Sequence, residues 1–180
     1  MITEKPFKGI NYQLRSVTPE DSIEILQLRL DSALNQFIHE TSPASHKVWL
    51  DEQITKPGDY YFAIEGIDNG AIQGFVGIYD INDDRGEWGR WILSPGSPAA
   101  VESYWLILKF GFGLGLNTIY SRTDTANIKV NSIHDSFEFS EVAVVAGDSR
   151  HLEYKVHTLN RTEWPDFEAN LMKYVRRRMS

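Results

Sequence analysis

Cysteine is absent from all 180 residues, which removes disulfides and thiolate metal sites together. That fits a reducing compartment, although exported proteins can also lack cysteine. Long apolar runs are absent too. No stretch reaches the roughly 18 apolar residues that a membrane helix needs, and the opening MITEKPFKGINYQLRS has no apolar core of signal-peptide type. These two absences predict a cytoplasmic protein with no membrane partner. Positive charge is in deficit as well. A net charge of -7 argues against wholesale nucleic-acid binding, which needs a basic face, but it leaves room for a local basic pocket. The terminal KYVRRRMS reads as a solvated helix end, where cations complement the helix dipole.

What is present is ordinary for a globular chain, with 42% hydrophobic and 24% charged residues, and residues 1–180 are read as one domain. NYQLRSV alternates like a strand. TPEDS follows, with Thr18 as N-cap and Pro19 at the first helical position, and IEILQLRLDSAL then has apolar residues at helical spacing. SHKVWLDEQIT reads as a second helix, closed by Pro57-Gly58. YYFAIEG and IQGFVGIYDI flank the hairpin signal Asn69-Gly70, and EWGRWIL follows the tight turn DDRG, so three strands form an antiparallel meander. PAAVESYWLILKFGFGLG is a helix ending in glycines. After it come a strand (LNTIYSRTD), a helix (ANIKVNSIHDSF), two strands (SEVAVVAG and LEYKVHTLN) and a closing helix. This order predicts an α/β (α+β) fold with a mixed, mostly antiparallel twisted sheet and helices on both faces.

Two stretches bear on chemistry. In GRWILSPGSPAAVESYW, Gly89 to Trp105, a strand stops at a turn of small residues and restarts as a helix. Such a turn is either a plain reversal or an anion site, because the first N–H groups of a helix lack intrahelical partners. GFGLG is a helix end, not a dinucleotide fingerprint, since it follows no strand and lacks the full spacing. His39 and His46 have no third ligand nearby, so no metal is expected.

The second stretch is TDTANIKVNSIHDSFEF, Thr123 to Phe139, where Asn127 and Phe139 stand at the spacing of an N…(ten residues)…GF pattern. With it go EWGRWILSP (Glu87, Gly89, Trp91 and Pro95 in register with E-x-G-Y-W-L-x-P), RSVTPEDS…LR from Arg15 to Arg29, and LNRTEW from Leu159 to Trp164. In this order, over nearly the whole chain, the sequence resembles the GNAT superfamily of acyl-CoA N-acyltransferases. It looks most like the branch holding the ribosomal-protein-alanine enzymes and the amino-sugar-nucleotide acetyltransferases.

The resemblance implies a sheet whose central parallel strand pair splays to admit acetyl-CoA as co-substrate. The strand Trp88 to Leu93 would pair with the pantetheine arm. The backbone N–H around Ile92 or Leu93 would face the oxyanion, and Ser94, Gly96, Ser97, Ala99, Ala100 and Val101 would hold the pyrophosphate. Asn127 would hydrogen-bond the arm, or cap its helix. Glu87 is the implied base, or else an exposed residue at a hairpin end. His134 stands where the family often has a tyrosine acid, and an unperturbed imidazole titrates near pH 6.5; the other reading is that it caps or packs on its short helix. His39, Glu40, Ser42 and Trp49 fall in the loop that lines the acceptor pocket, with Ser42 to Ser45 equally suited to cap the next helix. The chain departs from the family pattern in three further places. The pyrophosphate turn is about two residues short, Pro98 removes a donor from it, and Glu138 replaces a glycine.

The expected activity is N-acetyl transfer to a small-molecule primary amine, foremost an amino-sugar nucleotide. The alternatives are a protein N-terminal acetyltransferase and a degenerate, non-catalytic binding protein. A homodimer is left open. WLILKFGFGLGL reads as core, not as a dimer seam.

Overall fold

The structure, a computed structural model, describes residues 3, 5–31, 42–148 and 151–177. Its strands are β1 (Phe7–Lys8), β2 (Tyr12–Ser16), β3 (Tyr60–Gly66), β4 (Ile72–Asn82), β5 (Arg85–Leu93), β6 (Thr118–Asp124), β7 (Glu141–Ala146) and β8 (Glu153–Asn160). Its helices are α1 (Ser22–Asp31), α2 (Pro43–Thr55), α3 (Ala100–Gly113), α4 (Ile128–His134) and α5 (Trp164–Arg177). The strands form one sheet in the order β1-β2-β3-β4-β5-β6-β8-β7. Every neighbouring pair is antiparallel except the central β5–β6.

Local chemistry sets the elements. The Asp21 carboxylate accepts the Thr18 N–H at 2.8 Å and the two arms of the Arg15 guanidinium at 2.8 and 3.0 Å. This fixes the entry to α1 through the 3-10 turn Pro19–Asp21. Burial alone would raise the Asp21 carboxyl, but the Arg15 guanidinium and the Thr18 N–H outweigh it and hold the group below its ordinary value. Gly70 has φ +67, which an Asn-Gly turn between β3 and β4 requires. At the far end of α3, Arg161 donates to the carbonyls of Leu116 and Phe112, and Trp164 packs on Phe112 at 5.1 Å. That gives LNRTEW its job, which is to close α3 and start α5.

One face of the sheet is covered by α3 and α5. Phe62, Ile78, Trp88, Tyr104, Leu106, Leu108, Ile119 and Leu171 make the larger core there. The other face is covered by α1 and α2, with Val17, Ile25, Leu50, Tyr61, Phe75 and Ile92 beneath them. WLILKFGFGLGL is therefore core. Gly111 lies so close to the sheet that a Cβ would meet Ile78 and Ile119 at 2.6 and 2.7 Å. Among the described residues no helix is long and apolar enough to cross a membrane.

The feature that shapes the site is a bulge. Between the pairs Gly77↔Gly89 and Phe75↔Ile92, Arg90 and Trp91 of β5 oppose Val76 alone, and Arg90 takes φ 51. On its other side β5 pairs with β6 only at Arg85↔Thr118, Gly86↔Ile119 and Glu87↔Tyr120. Beyond Glu87 the two strands part, so the splayed central pair expected from the resemblance is present.

Candidate active site

The parting strands enclose a cleft of about 200 Å³, walled by β5 from Trp88 to Ile92 and by β6 from Ser121 to Asp124. Arg29, Asn127, Val130, His134, His151 and Tyr154 complete the lining. Side chains alternate along a strand, so the cleft has two different ends.

On the α3 face, Trp88 stacks on Tyr104 at 4.8 Å and meets the His134 ring edge-on at 5.3 Å. The Trp91 indole N–H donates to Ser103 Oγ at 3.1 Å. Two buried groups of the lining, Trp88 Nε1 and Ser121 Oγ, have no hydrogen-bond partner. A buried polar group without a partner costs about 1–3 kcal/mol, so these two mark a place where a ligand atom is wanted. The β5 edge beyond Glu87, which β6 leaves unpaired, is a second such place.

His134 is 1% exposed. Burial, reinforced by the neighbouring His157, pushes its pKa down to about 3. The expectation of an imidazolium acid titrating near neutrality is thereby corrected, because this ring is neutral at physiological pH. Tyr104 Oη lies 3.3 Å from His134 Nδ1, and burial holds the phenol's pKa well above its usual value. A Tyr104 hydroxyl that donates to Nδ1 leaves the imidazole proton on Nε2.

On the α1/α2 face the lining is basic. Arg90 grips Asp59, which is fully buried, at 2.6 and 2.9 Å and lies 4.1 Å over the Tyr79 ring. Arg122 donates twice to Glu87 Oε2, at 2.8 and 2.6 Å, and Tyr79 donates to Glu87 Oε1 at 3.2 Å. Glu87 is 3% exposed and does not line the cleft. Both carboxylate oxygens are committed, so Glu87 holds Arg122 in place. The sequence-based assignment of Glu87 as the proton-accepting group is corrected on that ground. Gly89 is needed beside it, since a Cβ there would fall 2.5 Å from the Tyr79 hydroxyl.

The remaining sequence-derived residues divide. Ile92 and Asn127 line the cleft. Asn127 also caps α4, accepting the Val130 N–H at 3.3 Å. Leu93, Ser94, Gly96, Ser97, Ala99, Ala100 and Val101 do not line the cleft. In that turn Ser97 Oγ donates to Gln73 at 3.0 Å and accepts the Ala99 N–H at 3.2 Å, while Gly96 has φ +76. Ser42 caps α2 through the Ser45 N–H at 3.2 Å and stays outside the cleft. Trp49 is a platform beneath Arg29 and Arg90, at 5.3 and 5.2 Å, and does not line the cleft itself. His39 and Glu40 lie outside the described residues. Positive φ at non-glycine residues is confined, among the described residues, to Asp80, Asp83 and Arg90, so Glu138 bears no left-handed strain.

Sequence reasoning did not single out Arg29, Ser121, Arg122, Asp124, His151 or Tyr154 as cleft residues. The one signal for the acidic and basic members was their alternation along SRTD, with Arg122 and Asp124 two apart and so on one face.

Residues 12–140 match the model of the acetyltransferase (GNAT) domain. No curated protein sequence matches the chain. Among solved structures, apo FdhC, a nucleotide-linked sugar GNAT, is 26% identical, covering 97% of this chain and 98% of that one at a TM-score of 0.75. A GCN5-related N-acetyltransferase from Brucella melitensis is 19% identical over 95% of this chain and 85% of its own, at 0.74. A chimera of spermidine N-acetyltransferase SpeG from Vibrio cholerae and hSSAT is 19% identical over 86% and 98%, at 0.71. The last two show the fold alone.

Proposed function

The chain belongs to the GNAT acetyltransferases and is an acyl-CoA-dependent N-acetyltransferase; from that premise we propose that its acceptor is the primary amine of an amino-sugar nucleotide. The observation that carries this reading is the asymmetry of the cleft. Its α3 face offers Trp88 Nε1, Ser121 Oγ and the unpaired β5 edge. Its α1/α2 face offers the guanidinium groups of Arg29, Arg90 and Arg122, with Asp59 and Glu87 set behind the last two.

Acetyl-CoA, the family's co-substrate, supplies an activated acetyl group, and the orphaned donors with Asn127 suit its thioester arm. His134 keeps a neutral N–H at the end of α4 and gives the departing sulfur a hydrogen-bond donor. Arginine pairs with phosphate in a planar fork, so the basic face suits a nucleotide diphosphate. It opposes a polycation such as a polyamine, whose ammonium groups would meet like charge. The likeness to a nucleotide-linked sugar GNAT points to the same acceptor class.

The test is CoA release across amino-sugar nucleotides, spermidine and peptides with free N-termini. Turnover of the first class at kcat/KM at least tenfold above the others is expected. Preference for spermidine or peptides would sink the acceptor assignment. A companion measurement is the thermal shift with acetyl-CoA, which at a hundredfold excess over Kd adds about 2.7 kcal/mol of stability. No shift at millimolar acetyl-CoA would remove the catalytic reading altogether.

A further inference from the structure

The cleft holds a carboxylate–imidazole pair built from residues 27 apart in sequence. His151 Nδ1 lies 2.6 Å from Asp124 Oδ2, and both residues line the cleft. Each partner is fixed from behind. The Ala126 N–H donates to the other Asp124 oxygen at 2.7 Å, which sets that carboxylate's rotation. The His151 N–H donates to Asp148 Oδ1 at 3.1 Å, and Tyr154 Oη donates to Asp148 Oδ2 at 2.9 Å. The Tyr154 ring lies 5.2 Å from the imidazole. Gly147 permits the close approach of His151, since a Cβ there would overlap the His151 carbonyl. Antiparallel pairing of β6 with β8 places Asp124 opposite Tyr154.

We propose that His151, oriented by Asp124, is the general base that deprotonates the acceptor ammonium. The assignment rests on the acetyltransferase reading but not on which amine is used. A carboxylate on Nδ1–H fixes the tautomer that carries its lone pair on Nε2. That nitrogen takes one proton from the ammonium and passes it to solvent. The neutral amine nitrogen bonds to the acyl carbon as the C–S bond breaks, and the second proton lost by nitrogen ends on the thiolate sulfur. Asp124 is a positioning residue in this scheme. The titratable and charged groups that share the cleft lining with His151 are Arg29, Arg90, Arg122, Asp124, His134 and Tyr154, and Asp148 stands behind it.

The experiment compares wild type, His151→Gln and Asp124→Asn on whichever amine of the panel the wild type acetylates, recording kcat/KM against pH and the acetyl-CoA thermal shift. His151→Gln should lower kcat on the order of 100-fold, abolish the acid limb of the profile and keep the thermal shift. Asp124→Asn should move the acid limb while lowering kcat less. A limb that stays in place in His151→Gln, or kcat within threefold of wild type, overturns the assignment. Peptide or spermidine turnover with the limb lost in His151→Gln would sink the sugar-nucleotide reading and uphold the base. A wild type that acetylates nothing in the panel would sink both.

Discussion

Arg90 is the residue on which the cleft turns. An L-residue at φ 51 costs about 1–2 kcal/mol, and this one is held there by Asp59, by Gln53 at 3.1 Å and by the ring of Tyr79. Arg90→Ala leaves a fully buried carboxylate without its guanidinium, so a loss of about 3–5 kcal/mol is expected in urea unfolding. A loss below about 1 kcal/mol would show that the pair does not hold the bulge. Glu87 acts more locally. Glu87→Gln removes the charge that anchors Arg122, and kcat/KM for an anionic acceptor should fall about tenfold, mostly through KM. The acid limb of the pH profile should survive, because the group that sets it is His151. Loss of that limb in Glu87→Gln would return the role of base to Glu87.

Among the elements, those with local signals were legible in the sequence and those set by distant partners were not. The Asn69-Gly70 hairpin, the Thr18-Pro19 start and the glycine-ended α3 each carry their cause within a few residues, and each stands where the sequence put it. The bulge at Arg90 does not, because the residues that stabilise it come from α2 and the turn before β3. The dyad is hidden for the same reason, since only the β6–β8 register brings His151 to Asp124. Strand β1 was also missed, being two residues long. It depends on Glu102 of α3, whose carboxylate accepts the N–H groups of Ile10, Asn11 and Tyr12 at 2.7, 2.8 and 3.1 Å. Glu102→Ala strands three backbone donors at part-buried sites. It should cost about 3 kcal/mol in urea unfolding and release the β1–β2 turn to hydrogen exchange, with protection at Asn11 as the decisive readout.

At the scale of the whole molecule, the buried histidines link folding to pH. His134 is pushed down to about 3 and His157 is lowered too, in both cases chiefly by burial, while an unfolded histidine titrates near 6.5. Below the unfolded value the unfolded chain therefore binds protons that the folded chain refuses, so stability declines as pH falls from about 6.5 towards 3. Each unit of that interval is worth about 1.4 kcal/mol for one such group, so His134 alone should remove about 2 kcal/mol between pH 6.5 and pH 5. Asp21, held below its ordinary value, adds its own loss only at lower pH, around and below the normal carboxylate range. The two contributions are therefore separable. Urea unfolding of wild type and His134→Phe at several pH values between 5 and 7.5 resolves the histidine part. The wild type should lose stability through this window, and the variant should lose about 2 kcal/mol less. Parallel slopes would mean that the imidazole takes up its proton in the folded state, and the neutral donor placed beside Trp88 and Tyr104 would have to be given up.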